Sequence, residues 1–275
     1  VISNVRPPQI NKTFAKLRAG EVAIGTLSLL PEPSLPELVG AVGYDFFVID
    51  TEHVANDGQT LVHSIRGAQA GGVTPIVRVR YVEEKLLLWT LDSGAQGIMI
   101  PMINDAATAR RAVQLTHYPP YGEKTMCSAS RTFGHGAYRR DLKPYFESSN
   151  REVMLIALLE TPEAINNAAE IAAEDVDVFC IGRGDLSVKM GIPYGPGHPD
   201  VVAATERALR AVIDAGKVGS VVAYDVEDAK RWIDFGCRFI IYSQPEMILA
   251  THYLNSLEAI QAHLLDRREG AMVKV

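Results

Sequence analysis

The chain lacks the features that mark several common protein classes. It has three cysteines in 275 residues, Cys127, Cys180 and Cys237, odd in number, far apart and without a Cys-x-x-Cys pair. That is not a disulfide framework, and it is the usage expected of reduced thiols in a cytosolic protein. No apolar run approaches the ~18–20 residues needed to cross a bilayer. The opening Val1-Ile2-Ser3-Asn4-Val5-Arg6-Pro7-Pro8 lacks the apolar core of a secretory signal. Positive charge is short: 27 Lys and Arg stand against 33 Asp and Glu, net −6, and the basic residues are scattered. Neither a nucleic acid nor a membrane is therefore an expected partner. No Gly-x-Gly-x-x-Gly follows the first apolar segment, which weakens a dinucleotide-binding reading.

What is present is a large apolar fraction, 47%, in a chain close to the size of one α/β barrel. A single domain over residues 1–275 is expected. Short β-rich runs recur at 22–28, 46–50, 75–79, 97–101, 154–159, 178–184, 218–223 and 239–243. Helical patterns lie between most of them, among them 106–116, 162–173, 201–215 and 226–235. Gly43, Gly71, Gly94, Gly216 and Gly236 shortly precede strands, as helix-closing residues do. Eight such βα repeats favour a (β/α)8 barrel over an open doubly wound sheet. Two segments break the rhythm. The stretch 118–151, rich in Pro, Gly, Ser, Arg and Tyr, is too long for an ordinary connection, and loops of that length usually carry function. The stretch 245–265 is helical, with Met247, Ile248, Leu254, Leu257, Ile260 and Leu264, and its length suits packing on a neighbouring subunit. The tail 266–275 is expected to fray.

Two of the runs end in an acid. Met154-Leu155-Ile156-Ala157-Leu158-Leu159 leads into Glu160, and Val178-Phe179-Cys180-Ile181-Gly182-Arg183-Gly184 leads into Asp185. Continuous apolar runs read as strands buried on both faces, and one strand–helix–strand unit makes these two neighbours. In a barrel, the C-terminal strand ends form the active-site rim. Strand two delivers Asp50-Thr51-Glu52-His53 to that rim, and strand three delivers Arg78 and, further along, Arg80. A strand-end acid alone commonly caps a helix or pairs on the surface; the set of four is what points to chemistry. Two carboxylates suit a divalent metal and leave coordination positions for water and substrate. A 2-keto acid chelated there has its developing enolate stabilised by the ion, with Arg78 as an added cation. Backbone N–H groups of the Gly182-Arg183-Gly184 turn suit the substrate carboxylate. His53 is the natural proton carrier, with Asp50 orienting its imidazole. His135, in the long stretch, is a poorer candidate. A Schiff-base route needs a lysine at a strand end, and Lys124, Lys143 and Lys189 lie elsewhere.

Four segments, Ile49-Asp50-Thr51-Glu52-His53, Tyr118-Pro119-Pro120-Tyr121-Gly122, Leu159-Glu160-Thr161-Pro162-Glu163-Ala164 and Ile181-Gly182-Arg183-Gly184-Asp185-Leu186-Ser187, resemble the HpcH/HpaI aldolases. These are metal-dependent class II pyruvate aldolases, such as 4-hydroxy-2-oxoheptanedioate aldolase. The resemblance runs from about Gly20 to Leu257. It implies a (β/α)8 barrel whose C-terminal helix is exchanged between subunits, in trimers or hexamers. It also implies Mg²⁺, Mn²⁺ or Co²⁺ on Glu160 and Asp185, Arg78 on pyruvate oxygens, His53 with Asp50 as acid/base pair, and the amides of Gly184 and Asp185 on the carboxylate. The implied reaction cleaves a 4-hydroxy-2-oxo acid to pyruvate and an aldehyde. Oxaloacetate decarboxylation, macrophomate-synthase-like chemistry and a non-catalytic scaffold barrel are the alternatives. The sequence departs from the family at Glu123-Lys124-Thr125, where x-Arg-Gly is usual, at Thr26-Leu27 and at Tyr242-Ser243-Gln244. These departures place the expected differences on the aldehyde side of the pocket.

Overall fold

Each apolar run becomes a strand, and all pair in parallel: β1 (Ala23–Ser28), β2 (Phe46–Asp50), β3 (Thr74–Arg78), β4 (Gly97–Ile100), β5 (Met154–Leu159), β6 (Val178–Ile181), β7 (Val218–Ala223) and β8 (Phe239–Tyr242). They close in sequence order, β8 pairing with β1, in a computed structural model that describes residues 10–55, 57–137 and 142–272. The runs are continuously apolar because both faces are covered. Phe46, Ile76, Ile156, Val178 and Phe239 fill the barrel, while Phe47, Val77, Ile98, Leu155 and Phe179 meet the helices. Phe46 and Phe239 stack with ring centroids 3.9 Å apart. Gly25 is what admits the Phe46 ring, since a Cβ there would fall 2.2 Å from it.

The helices are α1 (Lys12–Arg18), α2 (Ser34–Ala41), α3 (Gly58–Gly71), α4 (Glu84–Asp92), α5 (Ala106–Thr116), α6 (Leu142–Glu152), α7 (Pro162–Asn166), α8 (Ala168–Ala172), α9 (Arg183–Lys189), α10 (Pro199–Asp214), α11 (Val226–Phe235) and α12 (Pro245–Met272). Asp57, Asp105 and Asp225 start α3, α5 and α11 by accepting the amides of Thr60, Thr108 and Asp228. α1 plugs the N-terminal end of the barrel with Leu17. No helix among the described residues is long and apolar enough to cross a membrane.

Five expectations are corrected. β6 stops at Ile181, so Asp185 sits in the first turn of α9 and not at a strand end. β3 stops at Arg78, and Arg80 lies in the following loop with its Nε on Thr51 O at 2.8 Å. The stretch 162–173 breaks at Asn167 into α7 and α8. The stretch 118–151 contains a 3₁₀ turn (Gly134–Gly136) and most of α6. It joins the end of α5 to the start of β5, so within one chain it lies at the N-terminal end of the strands. Arg131 ties it to Ser93 O and Gln69, beside the last turns of α4 and α3. The C-terminal helix runs past 265 to Met272; residues 273–275 and the opening 1–9 lie outside the described residues.

Candidate active site

A cavity of about 650 Å³ opens at the C-terminal ends of the strands, and His53, Arg78, Glu160, Gly184 and Asp185 all line it. Glu160 directly follows β5 and is 2% exposed. Its Oε1 accepts the Met102 N–H at 2.9 Å, and Met102 holds a left-handed φ of 54°. On the other side, a Cβ at Gly182 would lie 2.7 Å from Glu160 Oε2, so the glycine leaves room for the carboxylate. A Cβ at Gly184 would meet the Tyr194 ring and the Tyr224 hydroxyl at 3.4 and 3.5 Å, which places both tyrosines over this turn.

Arg78 is fixed by register. Asp50 and Arg78 are Cα partners across β2 and β3, and Arg78 Nε donates to Asp50 Oδ1 at 2.8 Å. The buried Asp50 carboxylate also accepts the backbone N–H groups of Glu52 and His53, at 3.0 and 3.2 Å. It therefore locks the loop that carries His53. Glu52 Oε2 lies 3.5 Å from His53 Nε2 and 3.4 Å from Arg78 Nε, bridging the imidazole and the guanidinium.

Negative charge exceeds positive charge here. Burial pushes the Glu160 carboxyl up to about 8, against the Met102 amide and Arg78, and the nearby Asp185 and Glu52 push it further. Glu52 is raised as well, by burial first and by Asp50 and Asp185 after it, with Arg78 and His53 opposing. Arg78 is held above its ordinary value: burial opposes, but Asp50, Glu52 and Glu160 together prevail. Glu160 and Asp185 are hard oxygen donors in a site short of cations, which fits a divalent ion of the Mg²⁺ or Mn²⁺ type. Among the described residues no three His, Cys, Asp or Glu side chains converge as a ready-made metal cluster. Two protein carboxylates leave most coordination positions open, as a catalytic ion that also binds substrate requires.

A family model described as HpcH/HpaI aldolase/citrate lyase matches residues 25–242. The chain belongs to that family. A hydroxypyruvate/pyruvate aldolase of Cupriavidus necator is 34% identical over 244 residues, covering 88% of this chain and 90% of the relative. A 4-hydroxy-2-oxo-heptane-1,7-dioate aldolase of Shigella flexneri is 31% identical over 265 residues, covering 96% and 97%. An HpcH/HpaI aldolase/citrate lyase family protein from Burkholderia cenocepacia superposes with a TM-score of 0.84 at 29% identity, over 91% of this chain and 99% of that one.

In this HpcH/HpaI member, five of the six expected site residues share the cavity wall, and the sixth, Asp50, stands behind Arg78. The carboxylate beside the imidazole is Glu52, which sequence reasoning passed over although it sits between Asp50 and His53. The Met102 amide and the Arg183 side chain were also missed, because their roles depend on contacts distant in sequence. Among the described residues of 118–152, none, Lys124 and His135 included, lines the cavity within one chain. Tyr242, Ser243 and Gln244 do, joined by Met247, Thr251 and His252 of α12.

Proposed function

We propose that this HpcH/HpaI family protein is a divalent-metal pyruvate aldolase that cleaves a 4-hydroxy-2-oxo acid to pyruvate and an aldehyde. The observation carrying this reading is the pairing of Glu160 and Asp185 with Arg78 in one cavity that holds more negative charge than it neutralises. Glu160 and Asp185 are the residues to hold Mg²⁺, Mn²⁺ or Co²⁺. When bound, such an ion supplies Lewis-acid stabilisation of charge on the 2-oxo group.

The protein's own groups do the rest. Arg78, immobilised by Asp50, binds the 2-oxo and carboxylate oxygens of pyruvate. The amides of Gly184 and Asp185 hold the carboxylate end. His53 takes the proton of the 4-hydroxyl, and Glu52 orients the ring. As that proton leaves, the C3–C4 bond breaks, C4 becomes the aldehyde, and the electron pair passes to C3 as the enolate. Protonation of C3 then gives pyruvate.

The exposed apolar side chains of α12, Leu254, Leu257, Ile260 and Leu264, support a homo-oligomer in which this helix packs on a second copy, as a trimer or a hexamer of paired barrels. Three free thiols fit a cytosolic location. The test is pyruvate release from 4-hydroxy-2-oxo acids: it is expected to vanish with EDTA and return with Mn²⁺ or Mg²⁺. Turnover of oxaloacetate with no aldol cleavage would replace this reading by decarboxylation. Borohydride trapping of substrate on a lysine would overturn the metal route.

A further inference from the structure

The substrate side of the site hangs on one short turn. Where β6 gives way to α9, Gly182 and the first turn of the helix, residues 183–185, carry the two amides and one of the two carboxylates, and the N-cap of α9, Gly182, makes no side-chain capping bond. The side chain that ties this turn to the barrel is Arg183, only 2% exposed. Its Nη2 donates to Val222 O at 2.7 Å and to Asp228 Oδ2; its Nη1 reaches Asp228 Oδ1 at 3.2 Å and Pro196 O at 3.5 Å. Nε is buried without a partner. The guanidinium thus grips the end of β7, the α9–α10 connection and the first turn of α11 at once.

The acceptor is itself rigid. Asp228 Oδ1 accepts the indole N–H of fully buried Trp232 at 2.8 Å, and Oδ2 accepts the Tyr224 amide at 3.1 Å. The guanidinium carbon lies 5.1 Å from the ring centroids of both Tyr224 and Trp232. A forked, planar cation between two aromatic rings and a pinned carboxylate has one position available to it. Any shift of Arg183 moves the Gly184 amide and Asp185 with it.

We propose that the Arg183–Asp228 pair is a positioning device that sets Asp185 and the adjacent amides against Glu160. The proposal rests on the reading of Glu160 and Asp185 as metal ligands. A buried ion pair that only stabilises the fold is the competing explanation, since such pairs can be exchanged for uncharged groups without loss of stability. The two differ in what happens to metal affinity when fold stability is preserved.

The experiment is calorimetric titration of the full chain with Mn²⁺, alongside its melting temperature. Mn²⁺ binding by the parent that is lost in Glu160→Gln upholds the metal reading independently of the pair. Arg183→Lys keeps a cation beside Asp228 but loses the fork. The double variant Arg183→Met, Asp228→Asn removes both charges together and keeps an acceptor for Trp232. We expect the Mn²⁺ dissociation constant to rise about tenfold or more in each folded variant, the usual cost of losing a group that orients a metal ligand. The KM for pyruvate should rise with it. A folded double variant that binds Mn²⁺ within twofold of the parent would overturn the proposal, and if that variant does not fold, Arg183→Lys decides by the same criterion. A parent whose Mn²⁺ binding survives Glu160→Gln would overturn the metal reading and the proposal together.

Discussion

The N-terminal end of the barrel and the C-terminal rim both bury polar groups, and they handle them differently. At the N-terminal end, Asn11 donates to Gln96 O and Glu152 O, its amide meets Glu152 Oε2, and Thr13 bonds Thr74 and Asp45 O. Lys16 pairs with Asp45 at 2.9 Å. These groups complete one another. At the rim, Glu160 and Glu52 gather around the Arg78 guanidinium that Asp50 already engages, and Asp185 adds negative charge beside both. Among the described residues, three of the four left-handed non-glycine residues, Met102, Tyr194 and Ser243, lie at the rim, and the fourth, His135, is in the 3₁₀ turn at the other end. An end that satisfies itself serves stability; an end left short of positive charge is shaped for something that binds.

The comparison breaks most sharply at Glu160. Glu160→Gln should lower aldol cleavage by about three orders of magnitude, the scale of losing an ion's charge stabilisation. Its metal-free melting temperature at pH 8 should equal or exceed the parent's. A variant that is both inactive and strongly destabilised would place Glu160 with the structural groups. Glu52→Gln is expected to lower kcat by about tenfold or more and to shift the pH–rate profile, since it removes the carboxylate beside the His53 imidazole. An unchanged profile would assign Glu52 to Arg78 alone.

At the other end the signature reverses. Asn11→Ala strips the partners of Glu152 and Gln96 and should cost about 1–3 kcal/mol in denaturant unfolding. Activity per folded molecule should stay at the parent's level. The smallest effect is in pH dependence. Without metal, the Glu160 carboxyl moves from its ordinary 4.5 to about 8 on folding. Between those values the folded chain holds a proton that the unfolded chain has released, so this group's contribution to stability falls as pH rises. The melting temperature gained on adding Mn²⁺ should therefore grow from pH 5.5 to pH 8. A gain that shrinks over that range would contradict the burial of an ionising Glu160.

The barrel was legible in the sequence because strands covered on both faces leave continuous apolar runs, and eight of them leave little choice of architecture. Glu160 was legible for the same reason, standing one residue beyond β5. Asp185 was read onto a strand because Gly182-Arg183-Gly184 has no periodicity to announce that α9 has begun. The Asp50–Arg78 contact depends on the register between β2 and β3, and the Arg183–Asp228 contact joins residues 45 apart. Neither register nor closure is written in local patterning. The length of 118–151 pointed to function at the pocket, whereas the connection from α5 to β5 sends it to the opposite end of its own barrel.

The most direct test is an electron paramagnetic resonance titration of Mn²⁺ into the metal-free protein, Glu160→Gln and Asp185→Asn, with and without pyruvate. One Mn²⁺ per chain in the parent, a spectrum altered by pyruvate, and loss of the tight site in both variants are expected. Unchanged Mn²⁺ binding in both variants would contradict a metal site at this rim.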